Sequence, residues 1–123
     1  MAWVHEVANG ATVQDVSTPE RARAANLTDY PGLDLFSRYP NRERRLIEVK
    51  GRADRGRVEL TENEWILACN LRKSYWLYIV FNCASPHPQL LRIQDPFGRL
   101  MGKKKISIVI QEYELLKVAE ETL

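Results

Sequence analysis

Seven consecutive apolar side chains, Tyr75-Trp76-Leu77-Tyr78-Ile79-Val80-Phe81, constrain the fold of this chain more than any other feature. The run is far shorter than the ~20 residues that span a bilayer, and it lacks the alternation of a strand with one wet face. It reads as a central strand buried on both faces, which requires helices on both sides of a sheet. The preceding residues supply one such helix. Thr61-Glu62-Asn63-Glu64 matches a capping box, with Leu60 and Trp65 in staple positions, and the helix continues through Leu67, Ala68 and Leu71 to Arg72-Lys73.

Elsewhere the periodicities are shorter. Trp3, Val4, Val7 and Ala8 follow helical spacing, and Asn9-Gly10 is a helix stop. Thr12 to Val16 alternates like a strand, and Ser17-Thr18-Pro19-Glu20 starts a short helix or loop over Arg21 to Ala25. Tyr30-Pro31-Gly32 is a turn before a strand over Leu33 to Ser37. Asn41-Arg42-Glu43 suits a hairpin into a strand over Arg44 to Lys50. After the apolar run, Ser85-Pro86-His87-Pro88 is a break, Leu90 to Ile93 a strand and Asp95-Pro96-Phe97-Gly98 a stop. Ile106 to Ile110 reads as an edge strand and Glu112 to Glu120 as a closing helix. The expected architecture is α/β: one mixed central sheet flanked by helices, in a single domain over residues 1–123.

No apolar stretch reaches membrane-spanning length, and the N-terminus lacks a basic region followed by an apolar one. Cys69 and Cys83 are too few for a disulfide framework and fit no zinc spacing; they read as reduced thiols in apolar surroundings. These features point to an intracellular, cytoplasmic protein with no membrane partner. Net charge is only +2, yet eight basic residues and three acids lie between Arg38 and Arg57, so that stretch is +5 and the remainder −3. Such a surplus suits a polyanion, because arginine presents forked donors to phosphate; a solvated hairpin rim is the plainer alternative.

One acid within that basic stretch and one just before it have a chemical use. Asp34 stands at the start of one strand, and Glu48-Val49-Lys50 closes the next, so a hairpin brings both carboxylates to one sheet end. Glu48 and Lys50, two apart, leave the strand on the same face, while Ile47 and Val49 point into the opposite layer. Two carboxylates suit Mg²⁺ (or Mn²⁺), a hard ion that prefers oxygen and keeps several waters. A neighbouring lysine can offset charge building on a phosphate under attack. The E-x-K triplet alone is common, and it gains weight here from the apolar strand it ends and the Asp that follows Pro-Gly.

The same residues carry a family resemblance. Leu33-Asp34 followed by Glu48-Val49-Lys50 resembles the bipartite PD-(D/E)xK signature of restriction-endonuclease-like nucleases, with Leu33 where that motif often has Pro. Asp29-Tyr30-Pro31-Gly32-Leu33-Asp34-Leu35, Ile47-Glu48-Val49-Lys50-Gly51-Arg52, Leu60-Thr61-Glu62-Asn63-Glu64-Trp65 and Tyr75-Trp76-Leu77-Tyr78-Ile79-Val80 are together similar to the domain named after the C-terminus of the plant NO VEIN protein. The resemblance covers Val4 to Pro96. It implies a restriction-endonuclease-like fold and a C-terminal module of a larger protein, commonly one with a helicase-like ATPase in DNA processing or defence. It implies Asp34 and Glu48 as metal ligands, the Val49 carbonyl as a third, Lys50 as the catalytic lysine, and Glu6 as a further acid from the first helix. The activity implied is Mg²⁺-dependent DNA endonuclease cleavage. The alternative is a catalytically inactive nucleic-acid-binding module of the same fold, and a protein-interaction domain using the Arg-rich rim for acidic protein is a third class.

Arg52, Arg55 and Arg57 are candidate clamps for backbone phosphates, set against the solvated-rim reading. Lys103-Lys104-Lys105 reads as a charged edge that extends a groove or shields a strand. His5, beside Glu6, is compatible with a general base but reads as structural, and His87 between two prolines reads as loop. Trp65, Trp76, Tyr75 and Tyr78 read as packing, and Asp95 as a cap on its own backbone.

Overall fold

In the computed structural model, which describes residues 1–27, 32–101 and 107–120, the chain forms ten main elements. Their order is α1 (Ala2–Ala8), β1 (Thr12–Asp15), α2 (Pro19–Ala24), β2 (Leu35–Arg38), β3 (Arg44–Gly51), α3 (Glu62–Leu71), β4 (Tyr75–Phe81), β5 (Gln89–Gln94), α4 (Pro96–Leu100) and α5 (Glu112–Val118). The five strands make one sheet in sequence order. Neighbours pair antiparallel except β3 and β4, which run parallel from Leu46↔Tyr75 to Gly51↔Val80. A parallel pair cannot be joined by a tight turn, so the chain crosses over through α3. That crossover starts the helix near the C-terminal end of β3.

The two sheet faces carry separate apolar layers. Val16, Ala22, Leu27, Leu33, Phe36, Leu46, Ala68 and Tyr75 pack on the α2/α3 side. Ala2, Ile47 and Tyr78 pack on the α1 side, with Leu35, Val49, Trp76 and Leu90 against them. Tyr75 and Tyr78, three apart in β4, are both fully buried on opposite faces. The apolar run is thus covered on both sides, as its lack of alternation requires.

Local chemistry sets the element ends. Thr61 accepts from the Glu64 amide at 3.2 Å, and Glu64 reaches back to the Thr61 amide at 3.1 Å, completing the capping box. In the β2–β3 hairpin, Arg42 takes a left-handed φ of 71° after Pro40 and Asn41, and the Tyr39 amide bonds to the Glu43 carbonyl at 2.9 Å.

Four expectations change. The strand expected over Leu33 to Ser37 runs Leu35–Arg38, although the Asp34 backbone still pairs with Val16 and Ile47. The strand stops before Asp95 and Asp95 caps its own backbone, as expected, but the turn expected there is the start of α4: the Asp95 carboxylate accepts from the Gly98 amide at 3.0 Å and holds Arg72. Residues 107–110 form no strand and stand exposed, because no neighbouring strand pairs with them; Ile106 and Lys103-Lys104-Lys105 lie outside the described residues. Cys83 is exposed in the turn after β4 rather than in apolar surroundings, whereas Cys69 is half-buried; both are free thiols. Tyr30 and Pro31 also lie outside the described residues. Among the described residues, no helix is long and apolar enough to cross a membrane.

Candidate active site

Asp34 and Glu48 meet because of strand register. The last β2–β3 pair is Leu35↔Ile47, and one step further Asp34 faces Glu48 across the ladder. The Asp34 amide donates to the Ile47 carbonyl at 3.0 Å, and its Oδ2 accepts from the Val49 amide at 2.7 Å. A side chain therefore takes over the ladder bond that β2 no longer supplies, which fixes the carboxylate beside Glu48. Leu46, Glu48 and Lys50 share the α3 face of β3, while Ile47 and Val49 join the layer beneath α1.

The third side of the site comes from α3. Lys50 Nζ lies 3.4 Å from Glu48 Oε1, 2.8 Å from Glu64 Oε1 and 2.5 Å from Glu64 Oε2. Glu48 and Glu64 are both buried, at 6% and 8% exposure. Treated as a carboxylate, Glu48 Oε2 has no hydrogen-bond donor, whereas Glu64 Oε2 lies against the Lys50 ammonium. A proton on Glu48 facing Glu64 would supply that donor, in keeping with the opposite directions in which the two acids are shifted. Burial, a hydrogen bond with Glu64 and the charges of Asp34 and Glu64 push Glu48 up to about 9. Burial also pushes Glu64 up, but bonds from Glu48, Lys50 and Thr61 outweigh it and hold Glu64 down at about 2. Sequence reading treated Glu64 only as a helix cap. The signal that it also belongs to the site is topological: a parallel crossover delivers the first turn of α3 to the end of β3.

These residues fit a hard divalent ion on one specific ground. Glu48 Oε2 is a buried oxygen without a donor, a position that a cation or a proton must satisfy. Asp34, Glu48 and the Val49 carbonyl are the oxygen donors on hand. Among the described residues no three His, Cys, Asp or Glu side chains form a ready ligand cluster. Two carboxylates plus water remain an arrangement that Mg²⁺ accepts.

Glu6 lies elsewhere. It is fully buried on the α1 face of the sheet, where Oε2 accepts from the Tyr39 hydroxyl at 2.6 Å and from Arg45 Nη1 at 3.4 Å. The structure does not bring it to Asp34 and Glu48. His5 sits next to it, 3.9 Å from the same oxygen. Arg45 is stacked between the Tyr39 and Trp76 rings, 4.6 and 4.2 Å from their centroids, and donates to the Tyr78 hydroxyl at 2.8 Å. This cluster ties α1, β3 and β4 together.

The arginines differ from one another. Lys50, Gly51, Arg52, Arg57, Val58 and Glu59 line a depression of about 330 Å³ next to the site. Arg52 braces its own loop, donating to the Arg57 carbonyl at 2.8 Å and to Asp54 at 3.1 Å. Arg55 donates to Gln89 at 2.7 Å. Arg57 is exposed and only loosely paired, 4.0 Å from Glu59.

A mixed α/β domain with two carboxylates and a lysine at the end of a central sheet strand is the class that fold and site define. Within that class the chain belongs to the family described as Protein NO VEIN, C-terminal, whose profile matches residues 4–93. No curated protein and no solved structure matches it significantly.

Proposed function

We propose that this domain is a PD-(D/E)xK-type, restriction-endonuclease-like nuclease that hydrolyses DNA phosphodiesters with Mg²⁺ or Mn²⁺. The observation that carries the reading is the meeting of Asp34, Glu48 and Lys50 at one sheet end around a buried carboxylate oxygen that lacks a donor. Asp34 and Glu48 would hold the ion, with the Val49 carbonyl beside them. Such an ion, when bound, polarises a phosphate and lowers the pKa of a water. Asp34 is held in place by the Val49 amide, so that carboxylate is set before an ion arrives. Lys50 places a cation where negative charge on the phosphate grows, so its contribution belongs to the transition state. Arg57, and Arg55 once it leaves Gln89, offer guanidinium groups to the flanking backbone. Within a larger protein the domain would work beside a helicase-like ATPase in DNA processing or defence.

The test is nicking of a supercoiled plasmid with Mg²⁺ or Mn²⁺, with an EDTA control and DNA affinity measured separately. Lys50→Ala and Asp34→Asn each abolish nicking while affinity stays within a few-fold. Asp34→Asn binds slightly tighter because a negative charge facing the phosphates is gone. Equal nicking by both variants and the wild type assigns the cleavage to a contaminant. A silent wild type in its full-length context, with strong metal-independent binding, identifies a binding module instead.

A further inference from the structure

We infer that Glu64 is a positioning residue that holds the Lys50 ammonium beside Glu48 before any substrate arrives. Lys50 is the last side chain on the α3 face before β3 ends at Gly51, and its stem is long and flexible. Its ammonium lies close to the first turn of α3, a ten-residue helix whose N-terminal dipole repels a cation. Left alone, the ammonium would turn toward solvent. Glu64 prevents this because its own position is fixed twice. Its amide is held by the Thr61 hydroxyl at 3.2 Å, and its Oε1 accepts from the Thr61 amide at 3.1 Å. The same Oε1 takes Lys50 Nζ at 2.8 Å, so one oxygen joins the helix cap to the lysine. The ammonium remains 3.4 Å from Glu48, within the group that would act on phosphate.

The catalytic consequence rests on the nuclease reading, whereas the placement of Lys50 does not. Glu64→Gln separates the two roles of the side chain. A glutamine oxygen still accepts from the Thr61 amide and keeps the capping box, but the anion that holds Lys50 is gone. In ¹⁵N-lysine-labelled wild type, the Lys50 ammonium gives a persistent resonance at neutral pH, with an Overhauser contact to the Glu64 methylenes. In Glu64→Gln the melting temperature stays within a few degrees and that resonance disappears. Plasmid nicking with Mn²⁺ falls about a hundredfold in kcat, the scale of a misplaced catalytic group, with KM for DNA nearly unchanged.

Absence of the Overhauser contact in the wild type, which needs no variant to observe, overturns the proposal. So does a resonance that survives Glu64→Gln, or full nicking after the resonance is lost. A wild type that shows the Gln-sensitive ammonium but never nicks DNA upholds the positioning and defeats the nuclease reading alone.

Discussion

Arg45 shows how much one residue of this domain carries. Its guanidinium lies between two aromatic rings, bonds the Tyr78 hydroxyl and approaches the fully buried Glu6 carboxylate. Removing it leaves Glu6 with the Tyr39 hydroxyl and the neighbouring His5, and breaking a buried pair from one side costs roughly 3–5 kcal/mol. Arg45→Met is expected to destabilise by that order in urea denaturation, and Glu6→Gln by less, because the amide keeps a partner in Tyr39. Equal losses for the two variants would mean that the charge pair, which both remove, sets the cost and that the retained Tyr39 bond adds little. Glu48 supports a second test at this scale. Its folded pKa lies above the ordinary 4.5, so its share of stability is full below 4.5 and is lost as pH climbs toward about 9. Glu64 works in the opposite sense, with a share present above 4.5 and lost as pH falls toward about 2. In EDTA the melting temperature is therefore expected to fall from pH 5 to pH 9. The fall is shallower with Mg²⁺, which replaces the proton on Glu48, and is flattened by Glu48→Gln. A flat EDTA profile for the wild type would show that Glu48 is ionised throughout.

At the scale of elements, α3 does two jobs through one residue, Glu64. Its capping box starts the helix, and its third residue faces the end of β3. Thr61→Ala removes only the hydroxyl acceptor and leaves the Thr61 amide that anchors Glu64. It is expected to cost about 1 kcal/mol, the usual cost of losing an N-cap, without altering the Lys50 ammonium resonance. Loss of that resonance would show that the hydroxyl, and not the amide, keeps Glu64 in place. The β2–β3 hairpin works in a similar way. Pro40, Asn41 and a left-handed Arg42 set the register, and the register alone decides that Asp34 meets Glu48. A one-residue slip would turn Glu48 into the layer that now holds Ile47.

Across the whole molecule, charge is concentrated where the proposed chemistry lies. The segment from Arg38 to Arg57 carries the positive surplus, but its arginines are not equivalent. Arg45 is committed to the α1 face and, of the three arginines beside the site, Arg52 to its own loop, so Arg55 and Arg57 are the ones there able to meet a phosphate backbone. Replacing Arg55 and Arg57 with Ala is expected to lower the log–log salt slope of DNA binding by about one unit per lost phosphate contact, alike for all sequences. Arg52→Ala acts differently, loosening the loop and lowering stability first. An unchanged slope in the double variant would return these side chains to the role of a solvated rim.

Much of this architecture was legible in local sequence. The apolar run of β4, the Thr61–Glu64 cap and the hairpin residues before β3 each rest on physics contained within a few residues, and all three stand where the periodicities put them. The convergence of Asp34, Glu48 and Lys50 was legible too, because a hairpin and the two-residue period of a strand are enough to predict it. Local sequence could not show which face of the sheet each helix covers. Glu6 and Glu64 are both acids on helices, yet Glu6 is drawn beneath the sheet to Arg45 and Glu64 above it to Lys50. Residues 107–110 have the composition of a strand, but a strand needs a free edge within reach, and the described chain pairs nothing with them. Periodicity and capping act between near neighbours and are written in the sequence itself, whereas the side of a sheet and the partner of a buried charge depend on packing between segments far apart in the chain, which only the tertiary structure decided.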